Sequence, residues 1–240
     1  MKYILKNPTE EQINTLKKLG LCVFYSESEG IHYIEVPEIT EEELPKVDVV
    51  DLDLPSGLQW ASCNIGANRP CESGLLFQFG RVDGYAYGAD NHKFSDFEIP
   101  ITTSGTVYKE GEVLNTADDA AYAATNGKLR MPTIAEIDEL LANTTNQWCQ
   151  CTVLGDDHTG HTVYGRLFTG SNGNKIFIPA AGYFNGDDSS FYYDGSSGYV
   201  WSSSIYSYYD QAYRLYFNSK SCYRYYYGRH YGFSVRGVCK

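Results

Sequence analysis

The spacing of apolar positions changes near residue 51. Before it, Tyr3-Ile4-Leu5 predicts a short strand. Thr9-Glu10-Glu11-Gln12 forms a capping box ahead of Ile13, Leu16 and Leu19 at helical spacing, and Gly20 is a natural stop. Residues 21–25 and 31–36 predict two strands joined by a Ser/Glu/Gly turn. Residues 40–43 repeat the capping-box pattern before Leu44-Pro45. Residues 1–50 therefore predict a β-α-β-β unit with a short last helix. Its core is too small for much stability alone, which makes it a candidate attachment or oligomerisation module.

From residue 51 the pattern turns to glycine, aromatic residues and short apolar runs. Thr116 predicts a cap for a helix over 117–126, with Asp119 at its third position and Gly127 just past its end. Thr133-Ile134-Ala135-Glu136 is another capping box, entered through Pro132, with an apolar stripe of Ile134, Ile137, Leu140 and Leu141. Strands are expected over 162–168, 175–178, 199–203, 212–217 and 233–238, punctuated by Gly, Asn and Asp. Two helices followed by short antiparallel strands predict an α+β domain over 51–240. Trp60, Trp201, Phe177 and Phe233 are assigned to its core. Ser202 to Ser204 are expected to bond neighbouring strands, and Arg130 and Arg236 to pair with carboxylates.

Composition narrows the function classes. The 240 residues carry a net charge of −11, which argues against a general nucleic-acid binder. No apolar run is long enough for a membrane-spanning helix. The first eight residues carry no apolar run of the secretory kind, so a secretory signal is not expected there. Residues 1–54 hold 12 acids and 5 bases. The seven cysteines are odd in number and spread over a long chain, so they are expected to be reduced or structural rather than a disulfide framework. Fourteen of the 22 tyrosines fall between Tyr183 and Tyr231. Residues 205–240 add six bases against one acid, Asp210. Tyrosine mixed with Ser, Asn, Gly and Arg is the composition of antibody binding loops. Tyr225-Tyr226-Tyr227 has no aliphatic partners, which favours an exposed binding surface over a tyrosine-rich core or oligomer contact.

Six motifs occur in order: 53–67 (DLPSGLQWASCNIGA), Asp118-Asp119-Ala120-Ala121, Leu129-Arg130-Met131-Pro132-Thr133, 172–182 (NGNKIFIPAAG), 198–204 (GYVWSSS) and 231–238 (YGFSVRGV). Together they resemble the Fibrobacter succinogenes major paralogous domain, in the formylglycine-generating-enzyme-like branch of the C-type lectin fold. The departures are Leu129, where that family tends to carry Trp, and Gly237, where it tends to carry Pro. The resemblance implies a C-type-lectin-like fold over 51–240. It also resembles the variable proteins of diversity-generating retroelements, in which adenine-directed mutation rewrites a C-terminal segment. Residues 205–210, 218–219 and 221–230 all belong to the set reachable from AAC or AAT codons. Gln211, Arg214, Leu215, Phe217 and Lys220 interrupt them like a fixed framework.

The expected function is hypervariable recognition of a protein or glycan ligand through a variable region at about 201–236. The candidate contacts are Tyr206, Tyr208, Tyr209, Asp210, Tyr213, Asn218, Ser221, Cys222, Tyr223, Arg224, Tyr225, Tyr226, Tyr227, Arg229 and His230. The alternatives are a non-variable surface adhesin or structural paralogue, and a formylglycine-generating-type oxidase. For the oxidase, neither Cys222 nor Cys239 makes a convincing catalytic match. His158 and His161 read as a solvated loop rather than a metal site. Asp187-Asp188 lacks the accompanying triplets of calcium-dependent sugar-binding lectins. No catalytic residue, cofactor or metal is therefore expected.

Overall fold

A computed structural model describes residues 2–5, 8–13, 23–26, 31–35, 38–40, 49–86, 102–154, 160–185, 190–206 and 210–240. Strands β1 (Lys2–Leu5), β2 (Val23–Ser26) and β3 (Ile31–Glu35) form an antiparallel sheet in the order β1-β3-β2. The Thr9 box is present. Thr9 N donates to Gln12 Oε1 and Gln12 N donates to Thr9 Oγ1. Glu38–Thr40 is strand β4, and the short last helix expected after Thr40 falls outside the described residues.

The remaining elements follow in chain order as β5 (Val49–Asp51), β6 (Gln59–Asn64), β7 (Leu75–Phe77), β8 (Tyr85–Ala86), α1 (Ala120–Ala124), α2 (Ile134–Asn143), β9 (Thr145–Leu154), β10 (Gly160–Thr169) and β11 (Lys175–Pro179). Then come β12 (Ala181–Asn185), β13 (Ser190–Asp194), β14 (Ser197–Ile205), β15 (Gln211–Asn218), β16 (Cys222–Gly228), β17 (Phe233–Ser234) and β18 (Arg236–Cys239). They build sheets in the orders β11-β10-β9-β4, β12-β13, β18-β6-β5 and β16-β15-β14-β17-β7-β8.

This corrects the fold expectation. The protein is mostly β, with 46% strand against 11% helix in several sheets, and not an α+β C-type-lectin-like domain built on two helices. The helix expected over 117–126 shrinks to five residues because Asp119, not Thr116, caps it. The Asp119 carboxylate accepts from Tyr122 N at 2.9 Å and Met131 N at 2.8 Å, so it ties the helix to the next segment as well. Asp118 is likewise a structural tie, accepting from Ser104 N, Ser104 Oγ and Tyr108 Oη. Among the described residues only α2 is a helix of useful length. Its Thr133–Glu136 capping box forms as expected, and Ile137 and Leu140 are buried.

Two core clusters flank the six-stranded sheet. One face carries Val200, Leu215 and Phe217 against Ile137 and Leu140 of α2. The other carries Tyr199, Trp201, Ala212 and Phe233 against Phe79 and Leu114. Trp60, Trp201, Phe177 and Phe233 are all buried, and the Trp201 indole donates to Phe77 O at 2.8 Å. Of the β14 serines, Ser202 Oγ donates to Tyr213 O of β15 as expected, whereas Ser203 Oγ donates to Pro132 O and Ser204 Oγ accepts from Ile134 N of α2, neither in a neighbouring strand. Arg130 does pair with a carboxylate, that of Glu136. Burial alone would push Glu136 up. The Arg130 hydrogen bonds and then the Thr133 amide outweigh it and hold the carboxyl below its usual range. Arg236 has no carboxylate partner; it bonds Asn64 Oδ1 and two backbone carbonyls.

The last expected strand is broken into β17 and β18, with a register irregularity between Arg236 and Val238. The two departures from the family pattern touch there. A Cβ at Gly237 would sit 2.9 Å from the Leu129 Cβ, so the small residue makes room for its neighbour. Cys71 and Cys151 form a disulfide, contrary to the expectation of reduced thiols. Odd parity hid it: among the described residues, one bond between distant cysteines leaves Cys63, Cys149, Cys222 and Cys239 free.

Candidate ligand-binding surface

The 211–228 hairpin carries the site. Paired residues of an antiparallel ladder share a face. Tyr216 pairs with Tyr223, Arg214 with Tyr225 and Ala212 with Tyr227, while on the other side Tyr199 pairs with Tyr216 and Trp201 with Arg214. One face of three strands is therefore almost wholly aromatic. The opposite face presents Leu215 and Phe217 to α2 and ends in Tyr213, Arg224 and Tyr226. Because β16 is the edge strand, nothing in the sheet covers its outer side. Tyr223 and Tyr225 are 45% and 46% exposed.

The rings form a continuous track. Tyr206 stacks on Tyr226 with centroids 3.7 Å apart, and Tyr226 lies 4.6 Å from Tyr225. Tyr213 meets Tyr206 edge-on at 5.1 Å, and the Arg224 guanidinium lies 5.8 Å from the Tyr213 centroid. From Tyr225 the track runs through Tyr223, Tyr216 and Tyr199 to Tyr183, at spacings of 5.1–6.1 Å. Tyr183 then contacts Tyr192 and Tyr193 on β13. Tyr193 is exposed and holds a left-handed backbone (φ 59°), an uncommon conformation for a bulky residue. Edge-to-face and offset pairs of this kind favour each other beyond simple burial. Contact with the Tyr206 hydroxyl, and then that of Tyr225, pushes the Tyr226 phenol up to about 12. The Tyr226 phenol therefore stays protonated well above neutral pH.

Not every candidate joins the track. Tyr208 and Tyr209 lie outside the described residues, as do His158 and the Asp187-Asp188 pair. Arg229 is 3% exposed, with its guanidinium 5.2 Å from the Phe79 centroid. Its amide donates to Asp210 O, joining the end of β16 to the start of β15. Asn218 and Ser221 build the hairpin turn: Asn218 Oδ1 accepts from Lys220 N and Ser221 N. Cys222 packs against the core on the α2 side, and burial pushes its thiol up to about 11. His230 is half-buried and packs on Tyr231, with its carbonyl accepting from Gln78 Nε2. Asp210 is exposed at the turn. Tyr227 is half-buried over Tyr231 and Phe233. Arg224 is exposed and pairs with Asp138 of α2 at 3.0 Å. Such an exposed pair holds little energy, which leaves the guanidinium available to a ligand.

The sequence reading missed Tyr183, Tyr192, Tyr193 and Tyr216 as part of the track, with Tyr199 buried within it, and treated Arg214 as framework. The signal was the tyrosine count itself, which starts at Tyr183, well before the codon-set segment.

A family model described as a domain of unknown function (DUF8237) matches residues 162–238. That span contains the whole tyrosine track. Neither a curated protein nor a solved structure matches the chain. No helix among the described residues is long and apolar enough to cross a membrane.

Proposed function

We propose that this protein recognises a ligand through the tyrosine track, and that it is a display protein similar to the variable proteins of diversity-generating retroelements. The observation that carries this reading is the exposure of Tyr223 and Tyr225 on an edge strand, continuous with stacked Tyr226 and Tyr206. Contiguous exposed aromatic surface marks interaction sites. Tyrosine offers large contact area at low entropic cost, and tyrosine and arginine dominate binding hot spots. Several codon-set positions fall on this outer surface, while Leu215 and Phe217 are buried beneath it. Rewriting the surface then leaves the fold intact. A binding role is favoured over an oxidase because the thiolate is the reactive form of cysteine. Burial pushes the Cys222 thiol up to about 11, the reverse of activation.

The test is selection of a displayed random-peptide library on the immobilised full chain. Peptides enriched on the wild type are expected to lose at least about tenfold in affinity for the Tyr223→Ala/Tyr225→Ala/Tyr226→Ala variant, the scale of one hot-spot contact. Each single alanine variant gives up at least one aromatic pair and is expected to lower unfolding free energy by about 0.5–1.5 kcal/mol, well below the cost of removing a core ring. Enriched peptides that bind the triple variant equally well, or no enrichment at all, would contradict the proposal.

A further inference from the structure

The middle of the track holds a charge without a counter-charge. Arg214 is 5% exposed, and its Nε and Nη1 are sealed from solvent without a hydrogen-bond acceptor. Its guanidinium carbon lies 4.7, 5.0, 5.8, 5.1 and 5.4 Å from the ring centroids of Tyr199, Tyr216, Tyr225, Tyr227 and Phe233. Ring faces attract the cation but give its N–H groups nothing to bond. Arg236 makes the contrast: it is equally buried, and each guanidinium nitrogen donates to an oxygen at 2.9 Å. A buried charge left without hydrogen bonds opposes folding, so a sequence holding one beneath the exposed ring of Tyr225 has left a bonding position open. Burial pulls the Arg214 pKa down to about 10, so it remains a cation at neutral pH.

We infer that Arg214 anchors an aspartate or glutamate side chain of a protein partner docked on the tyrosine track. The inference rests on the binding reading above and names the chemistry of the partner. The planar guanidinium fork matches a carboxylate in two parallel hydrogen bonds. The surrounding rings exclude water and strengthen that pair, and a desolvated charge pair ringed by contacts is the arrangement of an interface hot spot. Tyr225 pairs with Arg214 in the ladder and is the most exposed of the five surrounding rings. It is therefore the ring that a carboxylate must displace to reach Arg214. A protein is favoured over an acidic sugar because the track is a broad band of tyrosines with two arginines, the make-up of protein-recognition loops.

Two arms test this on the full chain. In the first, the Arg214 Nε–H signal is followed by NMR and identified by its loss in Arg214→Met. The probes are N-acetylglutamate amide, its glutamine counterpart and glucuronate. The glutamate probe is expected to give a saturable shift, with the glutamine probe at least about tenfold weaker, as for loss of a charge-assisted bond. No saturable shift, or an equal response to glutamine, overturns the inference. A response to glucuronate alone overturns the protein partner in favour of an acidic sugar. In the second arm, selected peptides are expected to carry Asp or Glu. Changing that residue to its amide should weaken wild-type binding at least about tenfold and leave binding to Arg214→Met unchanged, the signature of direct coupling. Should Arg214→Met fail to fold, Arg214→Lys, which keeps the charge but lacks the fork, replaces it. Peptides that bind the tyrosines regardless of Arg214 sink the anchor and leave the binding reading standing. Absence of any selected peptide sinks the binding reading, and the probe titration alone then decides Arg214.

Discussion

Replacing Arg236 by methionine is expected to lower the unfolding free energy by about 3–5 kcal/mol, the range for removing one member of a buried charged network. The side chain is fully buried and joins three strands: Nε donates to Asn64 Oδ1 of β6, Nη1 to Ala61 O of the same strand, and Nη2 to Phe177 O of β11. Removing the guanidinium orphans three buried acceptors, each costing roughly 1–3 kcal/mol. Part of that loss is returned, because burial disfavours the charge and pulls the Arg236 pKa down to about 10. Three hydrogen bonds outweigh that opposing effect. Lysine cannot reach all three oxygens from one ammonium, so Arg236→Lys is expected to fail similarly. Urea unfolding checks this: the midpoint should fall while the slope with denaturant stays constant. A change below about 1 kcal/mol would show that water replaces the guanidinium at little cost.

Removing the Cys71–Cys151 bond is expected to be as severe. The cysteines lie 80 residues apart, and the chain-entropy relation gives about 4.5 kcal/mol for closing a loop of that length. Both partners are buried beside Leu167 and Phe177, so the Cys71→Ala/Cys151→Ala variant also loses packed side-chain volume. A destabilisation of about 3–5 kcal/mol is the expected result in denaturant melts of the double variant. Cys149 shares that buried cluster, and its thiol is pushed up to about 12, so it does not compete as an attacking thiolate. A Cys149→Ala variant is therefore expected to keep the bond, as read by peptide mapping without reductant. Equal stability with and without the bond would contradict this account.

Local signals were legible where one interaction decided the outcome. The Thr133 box, the apolar stripe of α2 and strands β10, β11 and β15 follow from patterns within a few residues. The fold class was not legible, because many strands carry no clean alternation. Strand β14 is buried on both faces along its whole length, and β9 (TNQWCQCTVL) reads as a polar connection. Strand β16 was hidden for the opposite reason: its tyrosines look alike, so no period separates the face over Arg214 from the outer edge. Asp119 looked like an acid at the third helical position but is the cap, as its bonds from Tyr122 N and Met131 N show. At the site, the exposed tyrosines followed from composition. The inward turn of Arg229 and the ring of five aromatics around Arg214 depend on strand register, which sequence alone leaves open.

The central claim is that a fixed framework carries a surface whose residues can be exchanged without unfolding the molecule. Saturation mutagenesis of residues 201–236, sorted for folded protein on a display scaffold, tests it most directly. The account predicts free substitution at Tyr206, Tyr223, Arg224, Tyr225 and Tyr226, with strong depletion at Trp201, Leu215, Phe217, Arg229 and Arg236. Depletion at Tyr223 and Tyr225 as deep as at Trp201 would make those rings part of the core and contradict it.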